Sequence, residues 1–170
     1  MKKNILLKIL CALLLTSFLS YSQSETTKLR IGIFDSRCVA AAYGRSDFMK
    51  EMDSIKIKYN KAKEEGNKEL VEELERLGPA KQLLMEQQGF STGSILNIMQ
   101  KVKDKLPSVA KEYNVKLIVS KWEVMFTDES IELFDITDPL VEFFNPDEAT
   151  RKGIREIKAM EPLPIEQVSD

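Results

Sequence analysis

Apolar residues follow two rhythms along this chain. At Leu29, Ile31 and Ile33 every second position is apolar, the period of a half-buried strand over residues 29–34. Asp35-Ser36 can then cap a helix over residues 37–43. From Ser46 the spacing becomes four and three, and Phe48, Met52, Ile55, Tyr59 and Ala62 share one helix face, with lysines and glutamates on the others. The seam slips at Gly66-Asn67, where a break or turn is expected, and resumes at Leu70, Leu74 and Leu77. Gly78-Pro79 is the strongest turn signal in the chain, since Gly ends a helix and Pro starts the next. The four-three spacing returns at Ile95, Met99, Val102, Leu106, Val109 and Tyr113, with a kink or break at Pro107. Seams on both sides of Gly78-Pro79 predict an antiparallel helical hairpin within residues 46–113.

Past residue 113 the pattern shortens. Residues 115–119 are apolar and rich in β-branched side chains, too short for an independent helix, and read as a buried strand. Val124-Met125-Phe126 is a second apolar stretch, Thr127-Asp128-Glu129-Ser130 supplies turn formers, and residues 131–134 give a third short strand. A Thr or Asp cap before Pro139 predicts a short helix over 139–144, because Pro lacks an amide hydrogen that would be orphaned there. Asn145, Pro146 and Glu148 read as cap, first position and third position of a last helix reaching about Met160. The tail over 161–170 holds two prolines and reads as extended or loose.

The N-terminus changes the picture of where the chain works. Lys2 and Lys3, an apolar run over 5–15 broken by Lys8, and Ser20-Tyr21-Ser22 match a signal peptide cleaved before Gln23. The run is short for a bilayer span of roughly 20 residues, so no stable membrane span is expected after cleavage. An uncleaved anchor and lipid attachment at Cys11 are the alternatives, and Lys8 and Leu10 suit the second poorly. Removing residues 1–22 takes away three lysines and leaves 148 residues of net charge −5, the size of one domain. That balance argues against nucleic acid, whose phosphates require clustered Lys and Arg.

Candidate chemistry is sparse. Histidine is absent, which removes the commonest general base and metal ligand. Cys38 is the single cysteine left after cleavage, so no intramolecular disulfide forms, and only Arg37 beside it would favour a thiolate. A small buried apolar role fits it better. Asp35 and Asp135 each end an apolar strand, and helix capping accounts for both without acid–base work. The run over 56–63 is a solvated helix face. The loop over 89–93 lacks the Lys of a phosphate-binding loop and no strand precedes it. No catalytic, cofactor or metal site is assigned, and the chain is read as a non-enzyme.

A strand, a long helical hairpin, then short strands ending in Asp-Ile-Thr before a small helix is an unusual order, and it resembles the Skp (OmpH-like) family of periplasmic chaperones. Arg30-Ile31-Gly32-Ile33-Phe34-Asp35 carries the likeness at one end. Residues 95–144, above all LIVSKWEVMFTDESIELFDIT, carry it at the other. The resemblance implies an α+β fold in which short strands form a small β-body, completed by trimerisation, with a projecting antiparallel helical hairpin arm. The implied boundaries are a signal peptide (1–22), a Skp-like domain (23–145) and a helix with tail (146–170). It implies a periplasmic homotrimer that holds unfolded outer-membrane proteins, with Ile31, Leu117, Phe126 and Leu133 in the trimer core. So few short strands close little core alone, and oligomerisation is one remedy. Along the arm most apolar residues fall on the seams, so Met85 and Phe90, off the seam, are the candidate client contacts. The chain departs from the family in its interrupted arm, its acidic charge and residues 146–170. The alternative is a dedicated envelope adaptor with the same body and no broad client binding.

Overall fold

The computed structural model describes residues 28–168. The signal-peptide reading of residues 1–22 lies outside them. The chain is α+β, with one three-stranded parallel sheet: β1 (Leu29–Phe34) is central, β2 (Leu117–Ser120) lies on one side and β3 (Ile131–Asp135) on the other. Ile31 pairs with Leu117 in β2 and with Leu133 in β3, so three large aliphatic residues stand in one row. Strand parity sends the odd residues to one face and the even ones to the other. Phe34, Ile118 and Phe134 on the even face meet the core.

That core is organised around α1 (Ser36–Tyr43), which is buried at every position except half-buried Ala41. A π-helical turn (Gly44–Phe48) leads into α2 (Met49–Glu64), and α3 (Lys68–Phe90) returns along it. Then come α4 (Leu96–Val102), a 3-10 turn, and α5 (Leu106–Glu112) before β2. After β3, α6 (Thr137–Val141) and α7 (Glu148–Lys158) both pack on α1. Ile98, Ile136 and Leu140 are wholly buried there with Cys38 and Val39.

Several expectations are corrected. The turn between the long helices falls at residues 65–67 and not at Gly78-Pro79. Gly66 adopts φ +68°, and the Asn67 side chain caps α3 by accepting from Leu70 N–H at 3.1 Å. A left-handed glycine followed by a capping asparagine satisfies a helix end and start together. Gly78 and Pro79 lie inside α3, where a Cβ on Gly78 would meet nothing within 4 Å beyond its own helix. The seam from Ile95 to Tyr113 packs into the core that also holds Phe34, Val39, Phe48 and Met52, while the hairpin contact of α2 is with α3. Ala62 and Leu74, both buried, and the Tyr59–Glu75 hydrogen bond (3.0 Å) lie along α2 and α3 instead. Pro107 sits in the first turn of α5, after a 3-10 break, where its missing N–H costs nothing. Val124-Met125-Phe126 is not a strand but an irregular loop. Asp147, not Asn145, caps α7 through Thr150 N–H (2.7 Å), while Asn145 turns left-handed (φ 48°) to end the preceding 3-10 turn.

The segment after α7 does not hang free. Leu163 N–H donates to the Phe90 carbonyl at the end of α3 (2.9 Å), and Ser91 Oγ donates to the Leu163 carbonyl (2.7 Å).

Gly32 shows how closely the sheet meets its core. A Cβ there would stand 2.7 Å from Ile136 Cδ1 and 3.2 Å from Val115 Cγ2. Ile136 is wholly buried, so its Cδ1 can give way only by repacking its core neighbours. Gly32→Ala should cost about 1–3 kcal/mol through overpacking, read as a lower urea midpoint with unchanged slope.

Candidate functional site

The odd face of the sheet is apolar and open. Leu29 pairs with Ile131, Ile31 with Leu117 and Leu133, and Ile33 with Val119 and Asp135. Leu117 is 53% exposed and Leu133 38%, while Ile31, Ile33, Val119 and Ile131 are half-buried. A monomeric sheet normally covers such a face or makes it polar. Both outer edges of the sheet are short strands, four and five residues long.

Beyond the carboxyl end of β2 the chain presents two more large apolar residues. Met125 is 93% exposed and Phe126 84%. A braced turn precedes them: Ser120 Oγ accepts from Trp122 N–H (3.4 Å), and Trp122 Nε1 donates to Asp35 Oδ1 (3.2 Å). Sequence reasoning puts Phe126 in a trimer core with Ile31, Leu117 and Leu133. The three strand residues share one row, whereas Phe126 stands apart from them in a solvent-facing loop.

Asp35 is the centre of a buried polar knot at the carboxyl ends of the strands. Arg37 reaches both of its oxygens (Nε–Oδ1 3.1 Å, Nη2–Oδ2 2.8 Å), and Lys121 Nζ approaches Oδ2 at 2.9 Å. Asp35 N–H donates to Thr137 Oγ1 (2.9 Å), and Thr137 in turn bonds the Asp135 carboxylate, its N–H at 2.8 Å. Arg37 and Lys121 stand over the Trp122 ring at 4.8 Å and 4.3 Å. Arg37 also donates to the Ile157 carbonyl of α7 (3.2 Å). Burial by itself would raise the Asp35 pKa, but hydrogen bonds and charge from Arg37 and Lys121 outweigh it and hold the carboxyl below its ordinary value. Capping by Asp35 and Asp135 is legible in the sequence; the partnership of Arg37, Lys121 and Trp122 is not. The signal that was there is a basic residue and a Trp directly after an apolar strand.

A second charged centre lies where the π-helical turn meets α2. Glu51 accepts from Tyr43 Oη (2.8 Å), Lys101 Nζ (2.9 Å) and Lys81 Nζ (3.2 Å). Hydrogen bonding from Lys101 is the largest cause that holds its pKa down, to about 2. Met85 lies beside this centre, its sulfur 3.6 Å from where a Gly44 Cβ would stand, and packs against the core. Phe90, five residues on, is 57% exposed. Five residues turn a helix by about 140°, so the two candidate contacts face different ways.

Cys38 is wholly buried; burial first, then the Asp35 charge, push its thiol up to about 12. Among the described residues no three His, Cys, Asp or Glu side chains gather to hold a metal. No helix among them is long and apolar enough to cross a membrane.

Removing the Asp35 carboxylate strands two cations, one of them buried. Asp35→Ala should lose about 3–5 kcal/mol at pH 7. Because the folded pKa is depressed, its stabilisation is full above the unfolded value of about 3.9 and is lost as pH falls through the lower folded value. The gap between wild type and variant, from urea titrations, should therefore narrow only at strongly acid pH. In a Cys11→Ser background, Cys38 should resist a thiol reagent at pH 8 until the chain unfolds; rapid labelling of native protein would contradict this burial. No family model, curated protein or solved structure matches this chain.

Proposed function

We propose that this chain is the subunit of a non-enzymatic, Skp-like holdase of the periplasm, a homotrimer that keeps unfolded outer-membrane proteins from aggregating. The observation that carries the reading is the open odd face of the sheet, with Leu117, Ile31 and Leu133 in one row. Three copies meeting on that face would bury it, each large side chain contributing roughly 1.5–3 kcal/mol. Met125 and Phe126, held out from the braced turn, would reach a neighbouring subunit. In this reading α2 and α3 form the arm. Ile57, Leu83 and Leu84 are exposed along it and would meet clients.

A second reading is an envelope adaptor with the same trimeric body and one partner. Its motive is the acidic charge and the occupied end of α3, where Leu163 already bonds Phe90 and Ser91.

Sedimentation equilibrium of the mature protein should give three subunits at micromolar concentration. Phe126→Asp and Leu133→Asp should each shift it toward smaller species while the circular dichroism of the helices persists. A folded wild-type monomer would sink the assembly and the function built on it. The trimer should also suppress aggregation of an outer-membrane protein diluted from urea. Failure at several-fold molar excess, with one recurrent partner pulled from envelope extracts, selects the adaptor.

A further inference from the structure

The end of α3 is built to hold a strand of polypeptide, and the chain supplies one itself. Phe90 is the last helical residue, so its carbonyl has no partner within α3. Ser91 is extended (φ −120°, ψ −162°) and 1% exposed. Together they take both backbone groups of one residue: Leu163 N–H on the Phe90 carbonyl, and the Leu163 carbonyl on Ser91 Oγ.

The corner is fixed by contacts other than this segment. Ser91 N–H and Gly93 N–H both donate to the Gln87 carbonyl (3.2 and 3.3 Å). A Cβ on Gly93 would stand 3.0 Å from that oxygen, so the loop needs glycine there. Gln88, buried, donates through its amide to the Ser94 carbonyl and to Asn97 Oδ1, both at 2.6 Å. The corner is therefore preorganised whether or not a strand lies in it.

Around Leu163 the segment faces solvent. Pro162 and Pro164 flank Leu163, leaving Leu163 N–H as the sole backbone donor among the three. Leu163 is 47% exposed and Ile165 45%, so little apolar surface is buried with it. Recognition through main-chain groups, with side chains left in solvent, discriminates poorly between sequences. A segment with few buried contacts also opens at low cost.

We propose that the Phe90–Ser91 corner is a capture site for extended polypeptide, and that the chain's own segment around Leu163 occupies it until an external strand displaces it. The external occupant, a stretch of unfolded client, rests on the holdase reading; the corner and its present occupant do not. A tethered segment acts at millimolar effective concentration, so a segment that binds with a dissociation constant of roughly 0.1 mM masks the site from a free competitor by on the order of tenfold.

The probe is a fluorescent peptide of residues 160–168, followed by anisotropy against the full chain and against a chain ending at Met160. The shortened chain should bind at least about tenfold more tightly than the full one. Ser91→Ala in the shortened chain, or N-methylation of the peptide leucine, should weaken that binding. Leu163→Pro in the full chain removes the N–H donor without shortening anything and should unmask the site equally; it carries the test if the shortened chain fails to fold. Equal binding by masked and unmasked folded chains, or no binding to either, overturns the proposal. Peptide capture without holdase activity would leave the corner standing and sink the chaperone reading, and the reverse result would do the opposite.

Discussion

The Asp35 carboxylate accepts from Arg37, Lys121 and Trp122 while its backbone N–H donates to Thr137, so one residue ties three separate pieces of chain to the end of β1. Arg37 extends the tie to α7 through the Ile157 carbonyl. Two cations face this one buried anion; Lys121 keeps part of its side chain in solvent, and both cations also stand over the Trp122 ring. An anion this deeply buried is stable when every lone pair is used, and here they nearly all are. The exposed Met125–Phe126 loop and the open row of the sheet both begin from elements that this knot anchors.

Much of the local structure is legible in the sequence, because it depends on near neighbours. The alternation at Leu29, Ile31 and Ile33 coincides with β1, and the run over 131–134 with β3. Cys38 is buried and small, as its surroundings suggest. What escaped was decided at long range. Trp122 and Asp35 are 87 positions apart, and no local pattern announces their bond. The chain holds two turn signals, Gly66-Asn67 and Gly78-Pro79, and propensity ranks the second higher. Only the first offers a left-handed residue and a side-chain cap in succession, which completes two helix ends at once.

Val124-Met125-Phe126 fails as a strand for a related reason. Apolar content alone predicts a strand there, but residues 124–126 pair with neither edge of the three-stranded sheet, and the side chains of Met125 and Phe126 face solvent. The seam from Ile95 to Tyr113 is buried as its spacing predicts, but its neighbours include Phe34 and Val39 of the body and not the return helix of a hairpin. Periodicity reports which face of a helix is buried and carries no information on what buries it.

The central place of β1 has a consequence for how the molecule forms. It is the first strand in the chain, yet its partners come far later: even the Arg30–Tyr113 hydrogen bond beside β2 spans 83 positions. Helices α2 and α3 are neighbours in sequence and close on each other early. During N-to-C emergence β1 must wait with both edges bare until residues 117–120 are free to pair, and with one edge bare until residues 131–135 follow. Such non-local parallel pairing is slow and leaves apolar edges open meanwhile. A chain built this way spends the first part of its own life as the kind of exposed strand that a holdase shelters.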